Sequence, residues 1–280
     1  MGDAARVTGV MICGAGHSGS TLLGMILGGA EGAFYAGEGG KIRYLHDSRK
    51  PLRKRVCKIC GEDCPVWSGF HWDRGRPLYP QIAAHIGLSI VVDSTKDSEW
   101  ISARAEELRG AGGRPCLILL LRDGRAVVNS RVRKYPDCDT EQQIRDWMTQ
   151  MARSQALYDA FDGPKAIVRY EDLATGAEGV ARRVCALVGA PFDAAMLDFQ
   201  SRAHHPLGGN SGAQYVAARP TLPDDAEPFV GLNERTRAYY ESHPGEIRLD
   251  LRWRDELSEE NAALFQRLAG DFNRSMEWGE

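Results

Sequence analysis

A buried strand that runs into a glycine-rich loop and then into a helix constrains this chain more than any other feature. The apolar run Val10–Cys13 predicts the strand, and Leu22 and Ile26 begin a helical pattern. Between them the spacing Gly14-x4-Gly19 is that of a phosphate-binding loop. Successive backbone N–H groups and the positive end of the helix dipole make such a loop an anion site.

The residue after the last glycine separates this loop from those of nucleoside triphosphatases. Those enzymes place a lysine there, followed by Ser or Thr, to reach the β- and γ-phosphates. Here Ser20 takes the lysine position and Thr21 follows. The loop is therefore predicted to hold phosphate but not a triphosphate. A strand-to-helix turn without a ligand is the alternative.

A second apolar strand, Leu117–Leu121, is followed by Arg122. Open α/β sheets bind ligands at the carboxyl ends of their strands, where this arginine would lie. Ser130 is eight residues further on, two turns into the next predicted helix. A guanidinium and a hydroxyl in these places are predicted to converge on one phosphate. The alternative is a structural ion pair between Arg122 and Asp123.

Two other strand ends carry residues suited to catalysis. Asp93 and Lys96 follow the apolar run Ile90–Val92. In a P-loop kinase Asp93 would be a metal-binding acid. Glu38 follows the short strand 34–36, and its glycine neighbours let the backbone approach a ligand closely. A solvated lysine and a loop carboxylate are the structural alternatives for Lys96 and Glu38.

Taken together, these motifs resemble the sulfotransferase superfamily, whose similar loop holds the 5′-phosphosulfate of 3′-phosphoadenosine-5′-phosphosulfate (PAPS). The match covers His17–Leu23, and the family usually has Arg or Lys where this chain has His17. A histidine is cationic only near or below its pKa of roughly 6.5. The resemblance implies a PAPS site made of Gly16, His17, Ser18, Gly19, Ser20, Thr21, Arg122, Ser130, Gly209 and Asn210.

The reaction implied by the resemblance is sulfuryl transfer from PAPS to a hydroxyl of a small-molecule acceptor (a natural product, carbohydrate or lipid), with adenosine 3′,5′-bisphosphate (PAP) as product. The implied catalytic residues are Glu38 as general base, Lys96 as the cation that stabilises the leaving phosphate, and His17 in the place of the family's basic residue. No metal is required. A P-loop kinase of a small metabolite and a non-catalytic nucleotide-binding protein remain the alternatives.

A cysteine segment lies apart from these motifs. Cys57, Cys60 and Cys64 have the spacing of half a zinc knuckle, with His46 or His71 as candidates for the fourth ligand. A disulfide and free thiols are the alternatives, and no metal is assigned to the chemistry. Similar segments occur in the bacterial sulfotransferases that this chain resembles, which implies a structural element beside the acceptor site.

The order of elements predicts the fold class and a single domain. Strands alternate with helices, which predicts a three-layer α/β fold with a mostly parallel central sheet flanked by helices, as in P-loop NTPases. With 280 residues of ordinary globular composition, the chain is expected to be one sulfotransferase domain, 1–280. The cysteine-containing insertion is expected near 41–80, and a lid loop is expected near the Gly- and Pro-rich stretch 204–230.

Charge and hydropathy exclude two classes of partner. The formal net charge of −3 gives no reason to expect nucleic-acid binding. The sequence has no apolar run of about 18 residues, so we expect no membrane span. Residues 1–7 lack the pattern of a signal peptide, which favours a cytoplasmic protein. A homodimer is left open.

Overall fold

A parallel β-sheet forms the centre of the computed structural model, which describes residues 6–221, 229–232, 234–241 and 246–279. Within those residues the sheet has five strands in the order β2-β3-β1-β4-β5, and every pairing is parallel. All seven residues of the central strand β1 are buried, as expected for a sheet covered on both faces. The strands are β1 (Thr8–Gly14), β2 (Ala33–Gly37), β3 (Ile90–Asp93), β4 (Arg114–Leu121) and β5 (Lys165–Arg169).

Helices connect the strands, and they are the main regular structure of the described residues after β5. In chain order they are α1 (Ser20–Gly28), α2 (Leu52–Arg55), α3 (Leu78–Ile86), α4 (Ser98–Gly110), α5 (Gly124–Lys134), α6 (Thr140–Ala160), α7 (Tyr170–Thr175), α8 (Ala177–Val188), α9 (Ser211–Ala218), α10 (Glu234–Glu241), α11 (Trp253–Glu256) and α12 (Glu259–Asn273). None of the helices in the described ranges is long and apolar enough to span a bilayer.

The helices pack in layers on the sheet. Helix α1 packs on β2 and β3, whereas α4 and α6 contact each other and pack on β1 and β4. The apolar side chains of β4 between 115 and 120 are buried between these layers. This arrangement confirms the predicted α/β class, with its parallel central sheet flanked by helices. It also brings the carboxyl ends of β1, β2, β3 and β4 to one edge, where the polar strand-end residues meet.

The stretch 204–230 differs from the expected lid loop. Residues 211–218 form helix α9, and a 3-10 turn, Arg219–Thr221, follows. Asn210 explains the helix, because its side-chain oxygen accepts a hydrogen bond from the Ala213 N–H at 2.9 Å and so caps the N-terminus. Residues 222–228 of the expected loop lie outside the described residues. The stretch expected to be a lid loop therefore contains a helix over 211–218.

Candidate active site

The glycine-rich loop, residues 14–19, joins β1 to α1. Gly19 is the N-cap residue of α1 and has a φ of 92°, a left-handed conformation that glycine adopts without strain. A Cβ atom on Gly19 would also lie 2.6 Å from the ring of Tyr170. The loop therefore needs glycine here both for its backbone angle and for its close packing on Tyr170.

Two loop N–H groups are held by helix α6. Gly14 N donates to Ser154 Oγ at 3.1 Å, and Gly16 N donates to Gln150 Oε1 at 3.2 Å. The N–H groups of Gly19, Ser20 and Thr21 make no hydrogen bond to another residue of the described part of the chain. Ser18 Oγ is buried and likewise has no partner there. These unsatisfied donors surround the N-terminus of α1, which makes the loop a fit for an anion.

Lys96 and Glu38 meet at this loop. Lys96 Nζ donates to Ser20 Oγ at 3.3 Å and to Glu38 Oε1 at 3.4 Å, and the Ser94 carbonyl accepts from it at 2.8 Å. The side chains of Lys96 and Glu38 are 19% and 26% exposed, so both remain accessible. Lys41 lies 3.8 Å from the other carboxylate oxygen of Glu38. A cation and a carboxylate thus lie beside the anion site.

Asp93 has a structural place next to this pair. It is buried, and its Oδ1 accepts from the N–H groups of Gly39 and Thr95 at 2.9 and 2.7 Å. Its Oδ2 accepts from Tyr79 Oη at 3.0 Å and from Trp100 Nε1 at 2.9 Å. Four donors occupy the four acceptor positions of a carboxylate. Asp93 therefore fixes the backbone around Glu38 and is not placed as the metal-binding acid of a kinase.

His17 joins Arg122 and Ser130. Arg122 Nη1 donates to the His17 carbonyl at 2.9 Å, and Ser130 Oγ lies 2.8 Å from His17 Nδ1. The guanidinium of Arg122 also lies over the Tyr170 ring, 4.1 Å from its centroid. The structure thus brings the two residues predicted for one phosphate to the same side of the loop. Each of them contacts His17: Arg122 contacts its carbonyl, and Ser130 contacts its ring.

The His17 ring differs in charge from the basic residue that the family usually has there. Burial, and after it the nearby charges of Lys134 and Arg131, lower the pKa of His17 to about 3. The ring is therefore neutral at pH 7. It has a hydrogen-bonding position beside Ser130 but supplies no positive charge to the site. The catalytic role of His17 stays a prediction. A neutral ring could act there through hydrogen bonds but not through a positive charge.

This pKa predicts a loss of stability in acid. The unfolded chain takes up a proton on His17 near pH 6.5, whereas the folded chain does so only near pH 3. Stability contributed by His17 is therefore present above pH 6.5 and is lost as the pH falls toward 3, by up to ~2 kcal/mol at pH 5. His17→Asn removes the titration and tolerates the φ of 72°. Urea unfolding at pH 7 and 5 should show a smaller loss of unfolding free energy in the variant, and equal losses would contradict the assignment.

Asp250 is a site residue that the sequence motifs did not assign. Its carboxylate lies 3.3 Å from Arg122 Nη2 and accepts two hydrogen bonds from Arg252, both at 2.7 Å. These guanidinium groups keep the pKa of Asp250 well below its usual range despite burial. Arg122 is thus paired, with its Nε still lacking a hydrogen-bond partner in the described residues.

The segment 206–210 closes the site from the other side. Leu207 pairs with the end of β2: its N–H donates to the Ala36 carbonyl, and its carbonyl accepts from the Glu38 N–H. Asn210 N donates to Thr21 Oγ1 at 2.8 Å. Gly209, with a φ of 103°, lies against the Thr21 side chain. The structure therefore brings Gly209 and Asn210 to the loop, while their contact with a cofactor stays a prediction.

The fourth residue beside the three cysteines is His205, which was not among the ligands expected from the sequence. His205 Nδ1 lies 3.2 Å from Cys60 Sγ and 3.5 Å from Cys64 Sγ. His46 and His71 instead stack on each other, with ring centroids 4.4 Å apart. The expected fourth ligands are therefore not in the cluster. The histidine that is present directly precedes the segment 206–210.

Comparison with known proteins places this geometry in a fold. No protein-family model matches the chain, and no curated protein matches it in sequence. Among solved structures, it is similar to the sulfotransferase domain of the Synechococcus PCC 7002 olefin synthase, with a TM-score of 0.55, 17% identity and coverage of 96% of this chain and 97% of that one. The sulfotransferase domain of the curacin biosynthetic pathway gives a TM-score of 0.52 at 17% identity, covering 94% and 98%.

The mouse sulfotransferase SULT7A1, solved in complex with PAP, is similar with a TM-score of 0.50 at 10% identity, covering 98% of this chain and 89% of that one. The chain has the sulfotransferase fold. These matches extend over nearly the whole length of both partners. The resemblance drawn from short motifs is therefore confirmed at the level of the sulfotransferase fold. At identities of 10–17%, these comparisons show the fold alone.

Proposed function

We propose that the chain is a PAPS-dependent sulfotransferase that acts on a hydroxyl of a small-molecule acceptor. The observation that carries the proposal is the position of Lys96 Nζ, 3.3 Å from Ser20 Oγ and 3.4 Å from Glu38 Oε1. Ser20 begins helix α1, so this cation and this carboxylate lie at the mouth of an anion-binding loop. A candidate base, a candidate charge stabiliser and a phosphate cradle are thus in contact.

The unsatisfied polar groups fit a ligand that carries phosphate at two places. Ser18 Oγ and the free N–H groups of the loop fit a 5′-phosphate. Arg122 Nε is a second buried donor without a partner in the described residues, and both Arg122 and Ser130 contact His17. Charge-assisted hydrogen bonds from such donors are the strong ones in phosphate sites. The residues proposed to hold the nucleotide are Gly16, His17, Ser18, Gly19, Ser20, Thr21, Arg122 and Ser130, with Gly209 and Asn210 beside Thr21.

When bound, PAPS supplies the sulfuryl group. The carboxylate of Glu38 takes the proton of the acceptor hydroxyl as that oxygen bonds to sulfur. Lys96 donates hydrogen bonds to the oxygen that leaves with the phosphate, and the α1 N-terminus adds positive potential there. The proposal uses no metal in this step, because a sulfuryl group carries less charge than a γ-phosphate.

The setting proposed for this reaction is cytoplasmic. None of the cysteines in the described residues is in a disulfide, which suits a reducing compartment. A small-molecule acceptor is proposed to reach the carboxylate of Glu38, whose side chain is 26% exposed. A homodimer stays a prediction.

Incubation of the chain with PAPS and a panel of hydroxyl compounds is expected to give an acceptor heavier by one sulfuryl group, together with an equal amount of PAP. Mass spectrometry measures the acceptors, and chromatography measures the nucleotide. The same panel with ATP and Mg²⁺ is the control and should give no product. Phosphorylated acceptors from ATP, with no PAP formed from PAPS, would contradict the proposal in favour of a kinase.

A further inference from the structure

Three cysteines and one histidine converge outside the active-site loop. The Sγ atoms of Cys57, Cys60 and Cys64 and the ring nitrogen of His205 all lie within 4.8 Å of one another. Cys57 and Cys64 are fully buried, and Cys60 and His205 are half-buried. The histidine is 141 residues beyond the last of the three cysteines, so the fold has to bring it there. Four metal-ligating groups are thus gathered from two distant segments.

The cysteine turn has the geometry of a metal-binding knuckle. The N–H groups of Ile59 and Cys60 point at Cys57 Sγ, at 3.4 and 3.5 Å. Such donors stabilise the thiolate form of a sulfur ligand. The turn closes with Gly61 N donating to the Cys57 carbonyl at 3.1 Å. Gly61 has a φ of 73°, so glycine suits this position after Cys60.

His205 is held in place by its own backbone neighbours. Its carbonyl accepts a hydrogen bond from Trp67 Nε1, and the next carbonyl, of Pro206, accepts from Lys58 N at 3.0 Å. Leu207 then forms bridges with both Cys57 and Gly37. The backbone on either side of the ring is therefore tied to the cysteine segment, independently of the ring itself.

We propose that Cys57, Cys60, Cys64 and His205 form a structural zinc site. Three thiolates and one imidazole are a ligand set that selects zinc, and four protein ligands make a closed, non-catalytic site. Zn–S and Zn–N lengths of about 2.3 and 2.0–2.1 Å require ligand atoms about 3.5–3.8 Å apart. The Nδ1 to Sγ distances of 3.2 and 3.5 Å are close to that spacing.

The zinc site would anchor the segment 206–210, which contacts Glu38 and the start of helix α1. His205 is followed by Leu207, whose carbonyl accepts the Glu38 N–H, and by Asn210, whose N–H reaches Thr21. A zinc ion held by Cys57 and His205 would therefore fix the end of this segment that lies on the cysteines, while its other end contacts the active-site edge. Its loss is expected to lower stability, since structural zinc contributes folding free energy directly.

Metal analysis of the full chain, expressed without a polyhistidine tag and dialysed into metal-free buffer, is expected to give about one zinc per chain. Cys60→Ser and His205→Ala should each lower the zinc content and reduce Tm by at least about 5 °C. Two matched controls, Cys138→Ser and His71→Ala, change exposed residues outside the cluster and should keep both zinc and Tm. Co²⁺ exchanged into the wild-type chain should show the strong visible absorption of a tetrahedral thiolate site.

The Co²⁺ experiment keeps the proposal testable if the cluster variants do not fold, because it uses the wild-type chain. A wild-type chain that contains no zinc and shows no such absorption with Co²⁺ would overturn the site. Full zinc content in both Cys60→Ser and His205→Ala would overturn it as well. A disulfide between two of the three cysteines, found by thiol counting after denaturation of freshly purified protein, would also reject it.

Discussion

Replacing Glu38 by Gln is expected to cut turnover by about 10²–10⁴-fold, the usual range for a lost general base, while the affinity for PAP stays nearly unchanged. The amide has the shape of the carboxylate and keeps an oxygen that can accept from Lys96, which lies 3.4 Å from Glu38 in the wild-type chain. It cannot take the proton of an acceptor hydroxyl. The measurements are kcat at saturating acceptor and the Kd for PAP by calorimetry.

Glu141→Gln is the matched control for this variant. Glu141 is an exposed carboxylate on α6 that pairs with Arg145, one helical turn away. Its replacement should leave turnover and PAP affinity unchanged. If the Glu38 variant keeps most of the wild-type turnover, the general base lies elsewhere and the proposed role of Glu38 is wrong. His204 is poorly placed to be that general base, because it is buried and hydrogen-bonded to the Phe199 carbonyl.

Replacing Arg122 by Ala is expected to weaken PAP binding roughly 10- to 100-fold, which corresponds to the ~1.5–3 kcal/mol of a charge-assisted hydrogen bond. The affinity for AMP, which has no 3′-phosphate, should change much less. Asp250 stays paired with Arg252 in the variant, through two hydrogen bonds of 2.7 Å, so the buried carboxylate keeps a counter-ion. Calorimetric titration with each nucleotide measures both affinities.

Arg145→Ala is the control for lost positive charge. It removes an exposed arginine of α6, which should alter neither affinity. A melting curve of the Arg122 variant separates loss of the site from loss of the fold, because Arg122 also contacts His17 and Tyr170. A folded variant that binds PAP and AMP with equal losses would show that Arg122 supports the loop and does not recognise the 3′-phosphate.

The parts of the site that lie at strand ends were predictable from the sequence. Glu38, Lys96 and Arg122 each follow an apolar run that is a strand in the structure. Since all strands of the sheet are parallel, their carboxyl ends meet at one edge without further information. The glycine loop was predictable for a similar reason, because its strand, its turn and its helix are adjacent in the chain. Local sequence patterns were therefore sufficient to predict the fold class and the strand-end residues of the site.

Features that depend on distant contacts were not predictable from those patterns. Helix α9 lies in a stretch whose Gly and Pro content indicates a loop, but in the folded chain it packs on α1 and α10. His205 reaches the cysteines through tertiary contacts, among them the pairing of Leu207 with Cys57 and with the end of β2. The pKa of His17 depends on burial and on charges from α5, which the sequence around His17 does not contain. Each of these requires the tertiary structure.

The ratio of the affinities of the wild-type chain for PAP and for AMP tests the central claim most directly. A site in which Arg122 and Ser130 bind the 3′-phosphate should bind PAP roughly 10- to 100-fold more tightly than AMP, without added metal. Isothermal titration calorimetry measures both constants on one preparation. Equal affinities for PAP and AMP, or tight binding of ATP that depends on Mg²⁺, would contradict the assignment of this chain as a PAPS-dependent sulfotransferase.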